Sequence, residues 1–206
     1  MVDSETSRVD RRRAAVVAEV LDHAEALIGA EGAGALTVTE VARRAGMRGP
    51  SLYKYFPSRF ALYDALFARG LAAQQAAVRS AVAGIPRGVP ALRAGGTALV
   101  SWAVDHPASA QLLFWRPVPG FAPSPESLAP SQTEMAMVRA EFAEAVRLGQ
   151  LRSDADSEDA LRLWTVVLSG LISQQLANQP GVAAGDGAFS RLTEPALDLF
   201  FAAYTP

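Results

Sequence analysis

Between Val41 and Tyr63 the chain carries Arg43, Arg44, Arg48, Lys54 and Arg59 and no acidic residue, although the whole protein of 206 residues has a formal net charge of −2. A positive window on a mildly acidic protein is the electrostatic footprint expected of a surface that meets a polyanion. Lys54 is the only lysine in the sequence. Around these cations stand Thr37, Thr39, Ser51, Tyr53 and Tyr55, whose hydroxyl groups supply the neutral donors that phosphate contacts use. A solvated helical hairpin is the plainer alternative, since charged helix faces usually meet only water.

Catalytic chemistry finds little footing elsewhere. The chain has two histidines and no cysteine, which excludes disulfides, zinc–thiolate sites and cysteine nucleophiles and fits a cytoplasmic location. His23 and His106 each stand alone, so no metal ligand set and no cofactor site is implied. Gly46-Met47-Arg48-Gly49 follows a helical pattern rather than a strand and is not a phosphate loop. Asp154, Asp156, Glu158 and Asp159 resemble half of a calcium loop but lack its turn glycine and closing glutamate, and are expected to complement a helix start. The protein is expected not to be an enzyme.

The elements that must position the basic window are short. Thr37-Val38-Thr39-Glu40 has the form of a capping box, with the Thr37 hydroxyl accepting from the Glu40 amide and the Glu40 carboxylate reaching back. Val38, Val41, Ala42 and Ala45 recur at helical spacing. Gly46 is suited to the left-handed residue that ends a helix, Met47 to plugging the turn, and Pro50 to the first turn of a second helix. Leu52 and Phe56, four apart, return to the core side. Two short helices joined by a tight turn make a helix-turn-helix.

The stretch LTVTEVARRAGMRGPSLYKYFPSRFALYDAL resembles the DNA-binding segment of TetR-type transcriptional regulators over roughly residues 11–67: a Thr-initiated helix, an Ala-Gly-hydrophobe turn, a short recognition helix ending in Tyr-x-x-Phe, and the start of a long helix. In place of the small polar residue usual after the turn hydrophobe stands Arg48, followed by Gly49-Pro50. The resemblance implies an all-α protein in which residues 1–58 form a three-helix DNA-binding domain and residues 59–206 a helical domain for ligand binding and dimerisation. It implies a homodimeric, ligand-responsive repressor on an inverted-repeat operator. Double-stranded DNA would be met by Thr37, Thr39, Arg48, Gly49, Pro50, Ser51, Tyr53, Lys54 and Tyr55, with Arg48 reading a guanine. A helical small-molecule-binding protein or enzyme with an architectural helix-turn-helix is the competing reading.

The rest of the chain is consistent with helix throughout. Residues 1–10 are polar and are expected to form a mobile tail. Asp10 is placed to cap a first helix from Arg11 to about Ala30, with an apolar stripe from Ala14 to Ile28. Ser58 is placed to cap a long helix to about Val82, and Gly84 to Pro90 form a linker. Further helices are expected at about 91–105, 107–115, 125–149, 157–179 and 188–204. No apolar run is long enough to span a membrane.

Prolines crowd residues 116–131, which form either a passive connection or a flap. Beside this segment Trp102, Phe114, Trp115 and Phe121 are candidate walls of a pocket for an apolar effector. The last two helices hold more apolar surface than a small domain easily buries. Trp164, Leu168, Gly170, Leu171 and Phe200 are the candidate dimer interface.

Overall fold

A computed structural model of the chain describes residues 2–115 and 117–206. Among these residues it is helical and without strand, in nine α-helices: α1 Val2–Glu31, α2 Val38–Arg44, α3 Gly49–Leu52, α4 Arg59–Val82, α5 Val89–Asp105, α6 Pro107–Phe114, α7 Pro125–Arg147, α8 Glu158–Asn178 and α9 Thr193–Ala202. Hydroxyl caps start three of the long ones: Ser58 Oγ accepts from the Ala61 amide, Ser124 Oγ from Ser127 and Ser157 Oγ from Ala160, each pairing a donor that the first helical turn otherwise leaves open. Of the acidic run after Ser153, Glu158 and Asp159 stand in the first turn of α8, whereas Asp154 lies in the preceding 3-10 turn and pairs with Arg152; among the described residues no group of three or more His, Cys, Asp or Glu comes together as a metal site.

The first helix departs from expectation at its start. Residues 2–10, expected as a tail, are its first turns, and Asp10 lies inside it rather than at its cap. No Gly or Pro interrupts the chain before Gly29, so nothing local stops the helix from extending outward.

Two apolar cores meet along α4. The first joins Val20, Ala24, Leu27 and Ile28 of α1 to Val38 and Val41 of α2, to Leu52 and to Phe56. Leu62, Tyr63 and Leu66 of α4, Leu112 of α6 and Val118 of the proline-rich segment complete it. The DNA-binding unit expected to end at residue 58 therefore has its core closed by the first two turns of the next helix. Tyr63 is fully buried, and its hydroxyl donates to the Ala33 carbonyl in the 3-10 turn between α1 and α2. Burial pushes the Tyr63 phenol above its ordinary pKa, offset in part by the Arg59 charge.

The second core lies among α5, α7, α8 and α9. Phe142, Trp164, Phe200 and Phe201 meet at ring separations of 5.4 to 6.0 Å, mostly edge to face, the arrangement that opposes positive ring edges to negative faces. Gly96 makes room for this cluster, because a Cβ there would stand 2.8 Å from the Trp164 ring. Trp164, Leu168 and Phe200, expected at a dimer interface, are thus buried inside one chain. The apolar residues of α8 cover more than one face, and periodicity alone does not say which face turns inward.

Tyr63→Phe should destabilise the protein by about 0.5–1.5 kcal/mol, because it removes a buried hydrogen bond and leaves the Ala33 carbonyl only the 3.4 Å bond from the Leu36 amide, with packing volume almost unchanged. Urea unfolding followed by circular dichroism measures this; an unchanged midpoint would mean that water replaces the hydroxyl.

Candidate nucleic-acid interface and effector cavity

The turn between α2 and α3 is built as its residues dictate. Thr37 Oγ1 accepts from the Glu40 amide at 3.1 Å. Gly46 adopts φ 63°, and the Met47 amide reaches the Ala42 carbonyl at 2.8 Å while the Gly46 amide reaches Arg43 at 3.2 Å. This pair of bonds is a Schellman closure, which satisfies the carbonyls at the end of α2 and turns the chain sharply. The Arg48 carbonyl then accepts from Ser51 and Leu52 to start α3. Leu52 and Phe56 are buried, so the opposite side of the short helix faces outward. Thr37, Thr39, Arg48, Pro50, Tyr53 and Lys54 are exposed, and Gly49, Ser51 and Tyr55 are half-buried.

The charge pattern is more selective than the sequence implies. The Glu40 carboxylate does not reach back to Thr37. It accepts from Arg43 Nε and Nη2 at 2.8 and 2.7 Å and from Arg44 Nε at 2.7 Å, and Arg44 also pairs with Glu31 at 2.6 Å. Arg43, then Arg44, holds the Glu40 carboxyl at about 2. Counting only the acid-free window misses Glu40, one position outside it, which satisfies two of the five cations. Among the described residues neither Arg48 nor Lys54 has an ion-pair partner. Arg13 of α1 joins them from outside the window, its guanidinium 5.2 Å from the Tyr55 ring centre, a cation–π contact that sets a further positive charge beside α3.

Between α4, α5, α7 and α8 lie two cavities of about 270 and 340 Å³ that share Leu99, Glu134, Val138, Trp164 and Leu168 as a common wall. Together they read as two lobes of one trough, in the size range of small-molecule sites. Phe114 and Trp115 line the larger lobe, and Trp115 Nε1 donates to Ser173 Oγ at 3.1 Å. Trp102 and Phe121 do not line it. Trp102 is buried in the second core and stacks on His106 at 4.8 Å, while His106 Nδ1 donates to the Trp102 carbonyl. Phe121 packs on Tyr63 at 5.4 Å and Phe60 at 6.0 Å, in the first core. Both aromatics are near the pocket in sequence, but the turn at Val118–Phe121 carries the second of them toward α4.

The proline-rich segment is anchored rather than loose. Asp64 of α4 accepts from the Ser124 amide at 2.7 Å, from Ser124 Oγ at 3.0 Å and from Ser127 Oγ at 2.8 Å. Beyond this clasp Pro123, Leu128 and Ser131 line the larger lobe. Arg116 lies outside the described residues. One end of the segment therefore packs into the DNA-binding core and the other walls the cavity. A second tie runs through Arg69 of α4, which pairs with Asp22 at 2.6 Å and with Glu25 on α1, while Ser109 of α6 donates to Glu25 at 2.7 Å.

The fold and the outward basic turn define a helix-turn-helix DNA-binding protein with a cavity-bearing helical domain. Residues 20–66 match the family model for bacterial regulatory proteins of the tetR family, and residues 92–198 match the tetracyclin repressor-like C-terminal domain. The chain belongs to the TetR family and is a DNA-binding transcriptional regulator. SCO4313, a candidate regulatory protein, superposes with a TM-score of 0.73 at 28% identity, covering 94% of this chain and 98% of that one. The ketosteroid transcriptional regulator KstR2 of Mycobacterium tuberculosis shares the fold with a TM-score of 0.67 at 21% identity, over 92% and 95% of the two chains. FadR from Bacillus subtilis, solved with stearoyl-CoA, does so with a TM-score of 0.72 at 13% identity, over 89% and 97%. No curated protein matches the chain in sequence.

Glu40→Gln should release Arg43 and Arg44 from their shared carboxylate. Affinity for nonspecific duplex DNA is expected to rise, and the slope of log K against log salt to steepen by about one to two. The depressed Glu40 carboxyl remains ionised until the pH approaches about 2, so the clamp itself should add no pH dependence to DNA binding between about pH 5 and 8, where even an unperturbed carboxylate is already charged. Fluorescence anisotropy with a random duplex checks both; an unchanged slope would place the two arginines away from DNA.

Proposed function

We propose that the protein is a homodimeric, effector-released repressor that binds an inverted-repeat operator through Arg48, Lys54 and their neighbours. The observation that carries this is the outward face of α3, where two cations without ion-pair partners among the described residues stand on a turn whose inward face is engaged in the core. Arg48 sits at the N-cap of α3, the end of a recognition helix that approaches base edges, and its guanidinium suits the O6 and N7 of guanine. Thr37, Thr39, Ser51, Tyr53, Lys54 and Tyr55 hold phosphates, and Gly49 and Pro50 let the backbone approach closely. Arg13 adds a phosphate contact beside Tyr55.

Pairing of two chains is supported by the outer faces of α8 and α9. Leu163 and Val166 are 42% and 63% exposed, Leu192 and Leu199 are 45% and 76% exposed, and Gly170 is exposed between them. Of the residues expected there, Gly170 and the half-buried Leu171 retain a place at this surface. A two-fold axis through this surface sets two α3 helices on one side of the dimer, and the operator takes the same symmetry.

The effector occupies the trough between α4 and α8, against Phe114 and Trp115. This is supported by two proteins of the same fold, the ketosteroid transcriptional regulator KstR2 and FadR in complex with stearoyl-CoA, and by the apolar walls here, which suit a hydrophobic ligand. Release follows if the ligand binds better to the form with its heads displaced from DNA. The Asp64 clasp and the Arg69 cluster carry that displacement, because each joins a wall of the trough to the DNA-binding core.

Anisotropy titration against the DNA flanking its own gene tests the reading. With roughly 6–10 phosphate contacts per dimer, affinity should fall about 10³–10⁵-fold between 50 and 200 mM salt; a flat profile would reject DNA as the partner. Lys54→Ala should weaken all sequences alike, whereas Arg48→Ala should also cost roughly 1–3 kcal/mol of preference at one base pair per half-site. Equal losses on every sequence would make Arg48 an anchor rather than a reader. Leu199→Glu should give monomers by light scattering and lose operator binding with them; a stable dimer would place the interface elsewhere. Trp115→Ala should bind operator normally without ligand but resist release; loss of ligand-independent binding would make Trp115 a packing residue.

A further inference from the structure

The trough is largely apolar, and a single carboxylate stands where its two lobes meet. Glu134 of α7 stands in the wall common to both lobes. Its carboxylate accepts from Gln74 Nε2 at 2.8 Å and lies 3.5 Å from Gln75 Nε2, which gives its better bond, 2.9 Å, to the Pro130 carbonyl. Gln74 is itself 3% exposed on α4, so it is fixed in place rather than recruited from solvent. Among the described residues no cation lies in ion-pair range of Glu134.

The other charges around the trough are accounted for differently. Glu141 pairs with Arg87 at 2.9 Å and accepts from the Gly88 amide at 2.8 Å. Arg79 and Arg87 are both exposed and border the smaller lobe only, so water hydrates them. Among the described lining residues of the larger lobe, Glu134 is the one ionisable group. Among the described residues, the charge facing that lobe is therefore negative, and neutral amides hold it.

We infer that Glu134 selects a lipophilic amine, an apolar molecule whose protonated nitrogen pairs with this carboxylate at the waist of the trough; this rests on the trough being the effector site. A neutral apolar ligand filling both lobes would strip water from the carboxylate and leave it with two amide donors. A ligand carboxylate would add repulsion at short range. A protonated amine supplies the missing partner as a charge-assisted hydrogen bond, with its chain on Leu99, Val138 and Trp164. The free Oε2 edge, only loosely approached by Gln75, is the atom left to accept it. Gln74 then acts as a positioning residue that keeps the carboxylate turned into the trough.

Three ten-carbon probes of equal length separate the possibilities: decylamine, decanol and decanoate, titrated into the full-length protein at pH 7.5. Binding is read from the fluorescence of Trp115 and Trp164, which line the lobes, and by calorimetry. Decylamine should bind roughly 10- to 100-fold more tightly than decanol, the range of a charge-assisted hydrogen bond, and decanoate should bind most weakly. Glu134→Gln, which keeps shape and the amide contact, should erase the gap by weakening decylamine alone.

Equal binding of amine and alcohol to the wild-type protein would overturn the role of Glu134 while leaving the trough as the effector site. Tightest binding by decanoate would overturn it in favour of the rim guanidiniums. No binding by any probe would remove the trough as the effector site, and the amine proposal with it. The wild-type ranking decides among these without any variant, so a Glu134→Gln protein that failed to fold would not rescue or hide the answer.

Discussion

The structure depends on one helix serving two cores. The DNA-binding unit is too small to close its own interior. Val20, Ile28, Val41, Leu52 and Phe56 leave a side that Leu62, Tyr63 and Leu66 of α4 cover, with Leu112 of α6 and Val118 beside them. The same helix runs on to Leu71, Gln74, Gln75 and Val78, which wall the trough. The Tyr63 hydroxyl on the Ala33 carbonyl adds direction to this packing. It ties α4 to the turn that leads into α2, and a buried polar pair of this kind tolerates little displacement. The basic turn is accordingly packed onto α4 through the first core.

A regulator needs such a constraint because its two sites are apart. Moving a DNA-bound population from 99:1 to 1:99 takes about 10⁴-fold preference of the ligand for the other form. Under the proposed function, a trough walled by α4 would convert a change in lobe shape into a change in the path of that helix. The proline-rich segment makes a parallel connection, with Phe121 against Tyr63 and Phe60, Asp64 holding Ser124 and Ser127, and Leu128 in the lobe. The sequence left open whether this segment was a lid or a passive link. It is a clasped wall, fixed at the α4 end and lining the cavity at the other.

Local chemistry was the legible part of the sequence. Thr37, Gly46 and Pro50 act through neighbours within five residues, so their pattern carries their geometry, and the helices from α4 to α8 fall within about two residues of their expected spans. What depended on distant partners was not legible. Trp164, Leu168 and Phe200 look like interface residues until α5, α7 and α9 are placed around them, whereas the exposure of Val166 and Leu199 emerges only once the helices are packed. Trp102 and Phe121 were assigned to the pocket by closeness in sequence, and three-dimensional closeness separates them from it. Glu40 was taken as half of a cap, and the pull of two guanidiniums outweighs one backbone amide. Asp64 and Glu134 had no local pattern at all to mark them.

The shared helix can be tested without operator or effector by native-state hydrogen exchange as a function of low denaturant concentration. If α4 completes the DNA-binding core, the amides of Leu62, Tyr63 and Leu66 should open in one cooperative unit with those of α1 between Val20 and Ile28, at a common free energy and denaturant slope. If those α4 amides instead open with the second half of the helix and with α5 and α8, while α1 opens separately, the two cores are independent and α4 is not the element that carries the DNA-binding turn.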